Sequence, residues 1–371
     1  MASLVLPIVL PSGSGRKSVV NWYVARVGAG QLADVSPACL EVVAQQALPE
    51  QFDRVRGAYD VEHLMRCRMF VVGTGAAREA IQDLARIGVG KWVIVDPEIV
   101  DAANLSTQDV YADEIGRPKV FAVADAIHRI NPAASVVAVR DRVQDIPRRM
   151  LDVLLRGSWA DAGKPQRTVI GAWSDSVPAD AYATRVALNY GLPIVQAALH
   201  KGGVSGEVLL AYPGRTAGCI RCATPARYRH YLNGGANDAT SRGVPLWTTL
   251  RLNALKMAVV AAALSAVDPG EQGTAERMAQ TALLEAISER PVAIMRLAAL
   301  AAEVSGVSIH ARVLGTSSEP GAWLFDETIW RQNPPRPGCP DCGGTGDLLG
   351  VAGTLDDLDA IPEVFDAVPE V

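Results

Sequence analysis

The segment 69–96 constrains the fold of this chain more than any other part of the sequence. It begins with a short apolar run, Met69–Val72, which is typical of a buried parallel strand. Gly73 and Gly75 follow at once, and apolar residues at helical spacing come next. A second apolar run, Trp92–Val95, leads into an aspartate. Strand, glycine turn, helix and strand in this order are the arrangement of a nucleotide-binding βαβ unit.

The residues of this unit have separate expected roles. Gly73 and Gly75 allow a sharp backbone turn, so that phosphates can approach the positive end of the following helix. Asp96, about twenty residues past the turn, is expected to accept hydrogen bonds from ribose hydroxyls. Because many unrelated nucleotide folds share this pattern, it predicts nucleotide binding without indicating a reaction.

Strands and helices continue to alternate after residue 132. Apolar runs predict strands at 135–139, 168–172, 193–198 and 207–211, and helices at 146–155, 179–190 and 246–267. Further expectations are a helix from Phe52 to Met65, helices within 272–303, and strands at 307–314 and 322–325. The sequence therefore predicts an α/β fold with a doubly wound, mostly parallel Rossmann-like sheet and added helices. Its ligand crevice is expected at the carboxyl ends of the strands.

Composition argues against two classes of partner, nucleic acids and membranes. The 371 residues carry a formal net charge of −5, which gives no general attraction to nucleic acid phosphates. No apolar run approaches the roughly twenty residues of a membrane-spanning helix. We therefore expect a soluble cytoplasmic protein with neither nucleic acid nor a membrane as partner.

The cysteines predict a metal site. Four of the six form two Cys-x-x-Cys pairs, Cys219/Cys222 and Cys339/Cys342. In a reducing compartment such pairs are better ligands for zinc than candidates for disulfides. Four thiolates fit tetrahedral Zn2+ and leave no open position for a catalytic water. The prediction is a structural zinc site that ties the C-terminal segment to the core, and the alternative is two unrelated pairs of free thiols.

Three further motifs follow the βαβ unit in a characteristic order. Asn104-Leu-Ser-Thr-Gln108 comes first, Ile115-Gly-Arg-Pro-Lys119 second, and Ile130-Asn-Pro132 third. Over roughly residues 52–344 the chain resembles the ThiF/MoeB/E1 superfamily. These ATP-dependent enzymes adenylate C-terminal carboxylates, including those of ubiquitin-like proteins.

The resemblance implies a set of site residues. Lys119 would neutralise charge on the α-phosphate of ATP, and Asp175 would position Mg2+ on the phosphates. An arginine that crosses a homodimer interface to the partner's ATP would be Arg54 or Arg56, although a solvated helix face also explains both. With the glycine turn, the implied nucleotide-binding set is Gly73, Gly75, Asp96, Asn104, Gln108, Arg54 and Arg56.

Two residues depart from the family pattern. Arg78 stands where a small residue is usual, and Thr107 stands where the family has an arginine that binds phosphate. We expect Arg78, in the first turn of the helix, to supply the missing guanidinium as a catalytic residue beside Lys119 and Asp175. The alternative is that both changes mark a decayed site.

The expected reaction is adenylation of the C-terminal carboxylate of a ubiquitin-like or sulfur-carrier protein. No cysteine lies between Cys222 and Cys339, and Cys39 and Cys67 are expected to be structural, so no crossover-loop thioester is predicted. Adenylation of a short peptide and a catalytically decayed scaffold are the alternatives. An NAD-dependent dehydrogenase would explain the glycine turn and Asp96 but not the later motifs.

The expected domain organisation has five parts. Residues 1–48 form an N-terminal appendage of unknown role, and 49–225 form the ATP-binding adenylation core. Residues 226–248 form a crossover loop, 249–345 close the zinc site, and 346–371 form an acidic tail that is flexible or docks a partner.

Overall fold

A ten-stranded mixed sheet organises the part of the chain that this computed structural model describes. The described residues are 24–27, 39–42, 46, 48, 50–157, 165–200, 203, 205–234, 244–296, 328–355 and 358. In chain order the strands are β1 (Val24–Val27), β2 (Cys39–Val42), β3 (Arg68–Val72), β4 (Lys91–Val95), β5 (Ser135–Val139), β6 (Thr168–Ala172), β7 (Ile194–Leu199), β8 (Ser205–Ala211), β9 (Val292–Arg296) and β10 (Thr328–Arg331).

The centre of the sheet is parallel and its flanks are mixed. Across the sheet the order is β1-β2-β5-β4-β3-β6-β7-β8-β9-β10. The neighbours from β5 to β7 run parallel. β2 pairs antiparallel with β5, and β7 to β10 form an antiparallel run. The predicted α/β fold is confirmed, with antiparallel strands added to a parallel core.

Helices cover both faces of this sheet. They are α1 (Val61–Leu64), α2 (Arg78–Arg86), α3 (Lys119–Ile130), α4 (Arg148–Arg156), α5 (Val177–Tyr190), α6 (Ile220–Ala223), α7 (Pro225–Leu232), α8 (Leu246–Ser265) and α9 (Ala275–Glu289). Because side chains alternate along a strand, Met69 and Val71 join one apolar core with α2, α3, α8 and α9. Phe70 and Val72 join the other core with α4 and α5. The sheet is thus doubly wound.

None of the described helices has the length and apolar character that a bilayer crossing requires.

The strand order reverses beside β3, and a crevice forms at such a switch point. The chain passes from β3 through β4 to β5 on one side and returns to β6 on the other. Gly73, which follows β3, has a φ of +85°, and a Cβ there would lie 2.6 Å from the backbone of Ser174, which follows β6. The turns after β3 and β6 therefore touch, and only glycine permits that approach.

Several predicted boundaries are wrong for local reasons. The helix predicted over Phe52–Met65 is limited to α1, because residues 50–58 form turns and Asp60 caps α1 by accepting the His63 amide hydrogen. Helical structure within 272–303 ends at Glu289, and Pro291 leads into β9, which pairs with β8. Residues 297–303 and the strands predicted at 307–314 and 322–325 lie outside the described residues.

The crossover loop and the tail also differ from expectation. Residues 226–232 belong to α7, and residues 246–248 begin α8, so the loop is shorter than predicted. Residues 235–243 lie outside the described part of the chain. The first part of the tail packs against α5: Leu348, Val351 and Leu358 are buried, and the Gly353 amide donates to the Asn189 carbonyl at 2.7 Å.

Replacing Gly73 tests the contact between the two turns. Gly73→Ala should destabilise the protein by roughly 3 kcal/mol, because the left-handed backbone costs about 1–2 kcal/mol and the clash with Ser174 adds a similar amount. Gly116→Ala is the matched control, since Gly116 has a φ of +86° but nothing within 4 Å of the added Cβ. In denaturant unfolding, Gly116→Ala should lower the free energy of unfolding by about 1–2 kcal/mol. Equal losses at the two positions would contradict the close approach.

Candidate functional site

The turn after β3 is tied to the end of β4 by one carboxylate. Asp96 Oδ2 accepts hydrogen bonds from the amide and the hydroxyl of Thr74, at 2.8 and 2.9 Å. Asp96 Oδ1 accepts from the Glu98 amide at 2.9 Å. Burial raises the pKa of Asp96, and the charge of Lys119 and these amides act against that rise. Asp96 therefore fixes the shape of the glycine turn, and its predicted contact with ribose stays a prediction.

Helix α2 begins directly at this turn. Ala77 precedes its first residue, and no described side chain caps it. The first amide groups of a helix have no acceptor within the helix, and together they carry a partial positive charge. The turn with Gly73 and Gly75 therefore has the properties of an anion site.

Arg78, predicted to bind phosphate, lies in a buried ion pair. Its two terminal nitrogens donate to the two carboxylate oxygens of Glu114 at 2.6 and 2.8 Å, and its side chain is 1% exposed. Glu114 also accepts from the Tyr111 amide at 3.0 Å. Arg78 Nε has no hydrogen-bond partner in the described part of the chain. The pair holds α2 to the segment before α3. Phosphate binding by Arg78 stays a prediction, and a phosphate would have to share the guanidinium with Glu114.

The segment with Asn104 and Gln108 folds against the glycine turn. Asn104 and Asp101 exchange hydrogen bonds at 3.0 Å between side chain and backbone, which fixes the short 3-10 helix Ala102–Ser106. Gln108 lies over Gly75, where an added Cβ would be 2.8 Å from Gln108 Oε1. That oxygen is buried and lacks a partner in the described structure. Gln108 therefore lies against the glycine turn, and Asn104 lies in the short helix that precedes Gln108.

Charged side chains converge beyond the ends of β4 and β6. Lys119, the first residue of α3, is 7% exposed and forms an ion pair with Glu98. Asp175 follows β6. Its partial burial raises its pKa, and the charges of Glu98 and Asp96 raise it further, while Lys119 opposes them. Asp96, Asp175 and Lys119 are thus close enough to interact electrostatically, and their predicted roles stay predictions.

Glu98 is a member of this cluster that the sequence analysis did not identify. It comes two residues after Asp96, just past a predicted strand. This position at the carboxyl end of a strand is the sequence feature that could have identified it. By contrast, Arg54 and Arg56 are exposed, and the described contacts of Arg56 are with Glu62 and Asp53. No described contact joins either arginine to the cluster, so their role across an interface stays a prediction.

A second buried network lies beside Ser174 and also went undetected in the sequence. Asp180 accepts hydrogen bonds from the Ser174 hydroxyl at 2.7 Å and from Gln196 at 2.9 Å, and burial raises the pKa of Asp180 to about 6. Glu207 is ion-paired with Arg227 of α7. Burial disfavours its ionisation, but the charges of Arg227 and His200 outweigh burial and lower the pKa of Glu207 to about 2. The network anchors α7, and with it the start of the crossover segment, to the sheet.

The four predicted cysteine ligands come together on the other face of the sheet. Their Sγ atoms all lie within 4.8 Å of one another, and Cys219, Cys222, Cys339 and Cys342 are buried in the core with α4 and α5. Three of the separations are 3.6–3.7 Å. A tetrahedral ion with bonds of about 2.3 Å to sulfur needs separations of about 3.8 Å. The cluster could therefore hold a metal ion of that geometry.

An ion pair links the two cysteine doublets. Arg221 lies between the cysteines of the first doublet and Asp341 between those of the second, and Arg221 Nη1 lies 3.2 Å from Asp341 Oδ1. Both side chains are fully buried. The guanidinium also stacks on Tyr228, 4.7 Å from the ring centroid. The doublets are thus held in register by contacts other than their thiols.

Comparison with known proteins identifies the family. Residues 48–310 match the sequence model of the ThiF family. The chain belongs to the ThiF family. This match confirms the resemblance inferred from the order of motifs.

Curated relatives within this family are similar over part of their length. The SAMP-activating enzyme E1 of Haloferax volcanii is 32% identical over 164 residues, which cover 44% of this chain and 55% of that protein. The molybdopterin-synthase adenylyltransferase of Salmonella typhimurium is 38% identical over 86 residues, covering 23% and 34%. The ubiquitin-like modifier-activating enzyme 5 of Drosophila melanogaster is 28% identical over 174 residues, covering 45% and 41%. The chain spans about half the length of these relatives or less.

The fold resembles that of a solved structure. E. coli MccB, crystallised with ATP, superposes with a TM-score of 0.52 at 15% sequence identity, covering 80% of this chain and 75% of that chain. At this identity the similarity concerns the fold alone.

Breaking the Arg78–Glu114 pair tests how much this ion pair contributes to the stability of the fold. Arg78→Met and Glu114→Gln should each destabilise the protein by about 3–5 kcal/mol, because each leaves a buried charge without its partner. The double variant should lose less than the sum of the two, as measured by denaturant unfolding. Arg86→Met is the control, because its pair with Asp83 on the same helix is exposed and should contribute about 0.5 kcal/mol. Strictly additive losses would show that the pair is not coupled.

Proposed function

We propose that this protein is an ATP-dependent adenylyltransferase that activates the C-terminal carboxylate of a ubiquitin-like or sulfur-carrier protein. The observation that carries the proposal is the convergence of Lys119, Asp175 and Asp96 on the uncapped start of α2. Family membership supports it, as do relatives named for the activation of ubiquitin-like modifiers and of molybdopterin synthase.

The proposed step is a displacement at phosphorus. A carboxylate oxygen of the substrate attacks the α-phosphorus of ATP, the bond from that phosphorus to the bridging oxygen breaks, and pyrophosphate leaves with the electron pair. The products are an acyl-adenylate and pyrophosphate. The attacking carboxylate is ionised at neutral pH, so no general base is needed. Catalysis then rests on positioning and on charge.

Lys119 and the turn would supply the positive charge for this step. The Lys119 ammonium lies at the start of α3, held by Glu98, and would offset negative charge that develops on the α-phosphate. The amides at the start of α2 would receive the other phosphates. Glu98 keeps Lys119 in place until the nucleotide competes for it.

The carboxylates fit a hard divalent cation. Asp175 lies near Glu98 and Asp96, whose charges raise its pKa, so a cation there would be stabilised. Mg2+ prefers carboxylate and phosphate oxygens, and Asp175 is the residue that would hold it. Bound there, Mg2+ would supply positive charge that offsets the charge of the phosphates.

We propose direct transfer of the adenylate, without a thioester on this chain. Cys67 is buried, and burial raises the pKa of its thiol to about 12, so it is a poor nucleophile. The four clustered cysteines are better explained as ligands of a structural Zn2+, which would tie residues 339–342 to the sheet. We also retain the proposal of a homodimer in which Arg54 or Arg56 reaches the partner's nucleotide.

Nucleotide titration tests the proposed activity. Wild-type protein should bind Mg·ATP saturably in calorimetry, and Lys119→Ala and Asp175→Ala should weaken that affinity by about tenfold or more, because each removes a charge that acts on the phosphates or on Mg2+. Lys91→Ala, at the amino end of β4, is the control and should bind like wild type. Pyrophosphate exchange should then require a carboxylate substrate, and small proteins ending in Gly-Gly should be compared with short peptides. A folded wild type that binds no ATP would instead support a catalytically decayed scaffold.

Metal analysis tests the zinc assignment. Purified protein should contain about one zinc per chain, and Cys339→Ser should lose most of it and unfold at a lower temperature, because a structural metal stabilises the fold. Cys67→Ser is the control, because this buried thiol lies outside the cluster and the zinc content should persist. Wild-type protein that is stable and free of metal would refute the assignment.

A further inference from the structure

A lysine outside all the predicted motifs lies buried between two walls of the proposed nucleotide site. One wall is the segment after β6 that carries Asp175, and the other is the glycine turn with the start of α2. Lys256 of α8 is 3% exposed. Its Nζ lies 4.2 Å from the centroid of the Trp173 ring. Trp173 is two residues before Asp175, and its own Nε1 donates to the Val195 carbonyl at 3.0 Å, which fixes the ring. One contact of Lys256 is therefore with the wall that carries Asp175.

The other wall is bound by the preceding turn of the same helix. Asn253 donates from its side-chain amide to the Ala76 carbonyl and to Glu79 Oε2, both at 2.9 Å. Ala76 belongs to the glycine turn, and Glu79 belongs to the first turn of α2. Helix α8 thus spans both walls, and Lys256 is the cation that it places between them.

Lys256 differs from the other cations of the site in lacking an ion pair. Arg78 is paired with Glu114, and Lys119 is paired with Glu98. No ion pair joins Lys256 to a carboxylate in the described part of the chain. Burial lowers the pKa of Lys256 to about 7, and the charge of Glu79 opposes that change.

The charged groups around Lys256 do not neutralise it. The pKa of Glu79 is raised to about 7, mainly by burial and also by the charge of Asp109, while the charges of Lys256 and Arg78 act in the opposite direction. Glu79 Oε1 is buried and has no hydrogen-bond partner in the described structure. A buried amine with so little compensation is destabilising unless a ligand brings negative charge close to it.

We propose that Lys256 is a positioning residue whose charge stabilises the triphosphate bound at the start of α2. Its charge acts from behind the turn through the protein interior, where the low dielectric strengthens the interaction. The proposal rests on the proposed ATP-dependent function and adds a residue to that site.

Titration of nucleotides that differ in phosphate number tests the proposal. Lys256→Met keeps the length of the side chain and removes its charge. We expect it to weaken Mg·ATP binding in calorimetry by about tenfold or more, to weaken ADP binding less, and to leave adenosine binding within about twofold. Its unfolding temperature should equal or exceed that of wild type, because a buried unpaired charge has been removed. Lys91→Met, at the amino end of β4, is the control and should bind all three ligands like wild type.

The dependence of ATP affinity on pH is the second readout. Above pH 7 the Lys256 amine of the unliganded protein is mostly neutral and must gain a proton when the triphosphate binds. The ATP affinity of wild type should therefore fall between pH 7 and 9 relative to that of Lys256→Met. A residue that only packs α8 against the turn would not produce this difference.

The possible failures are distinguishable. If Lys256→Met binds ATP as tightly as wild type, or loses adenosine and ATP affinity equally, the role of Lys256 is refuted while the proposed function stands. If folded wild type binds no ATP, the proposed function and the role of Lys256 both fail.

Discussion

The close contact between the turns after β3 and β6 is the constraint on which the site depends. The backbone at Gly73 meets that at Ser174 with no room for a Cβ. This contact places the start of α2 beside the segment that carries Asp175. Asp96 holds the first turn by accepting three hydrogen bonds, from Thr74 and Glu98. The shape of the crevice is therefore set by backbone packing, and side-chain charges are added to it.

Those charges are arranged so that each wall carries both signs. Lys119 and Glu98 lie on the β4 side with Asp96, and Asp175 lies beyond β6. Arg78 is held by Glu114, and Lys256 lies against Trp173 with no ion pair among the described residues. In the proposed function, the negative charges would hold a divalent cation and the positive charges would hold phosphates.

The cysteine cluster stabilises a different part of the molecule. It lies in the core with α4 and α5, on the face opposite α2, α3 and α8. The buried pair between Arg221 and Asp341 joins the two doublets, and Asn333 donates to the Cys219 carbonyl at 2.9 Å. Packing of Leu348 and Val351 continues this attachment of the C-terminal segment to α5. The cysteine cluster therefore lies apart from the candidate nucleotide site, on the other face of the sheet.

Local sequence determined the parts of this protein that depend on short-range patterns. The strands β3 to β6, the end of α5 at Gly191, the glycine turn and the two cysteine doublets were predictable because their signals lie within a few residues. Tertiary structure alone decided the partners of the charged residues. Arg78 meets Glu114 across 36 positions, Asn253 reaches Ala76 across 177, and Lys256 reaches the wall of the site from α8. No periodicity encodes such contacts, because they arise only when helices from distant parts of the chain pack on the same sheet and exclude water from the groups between them.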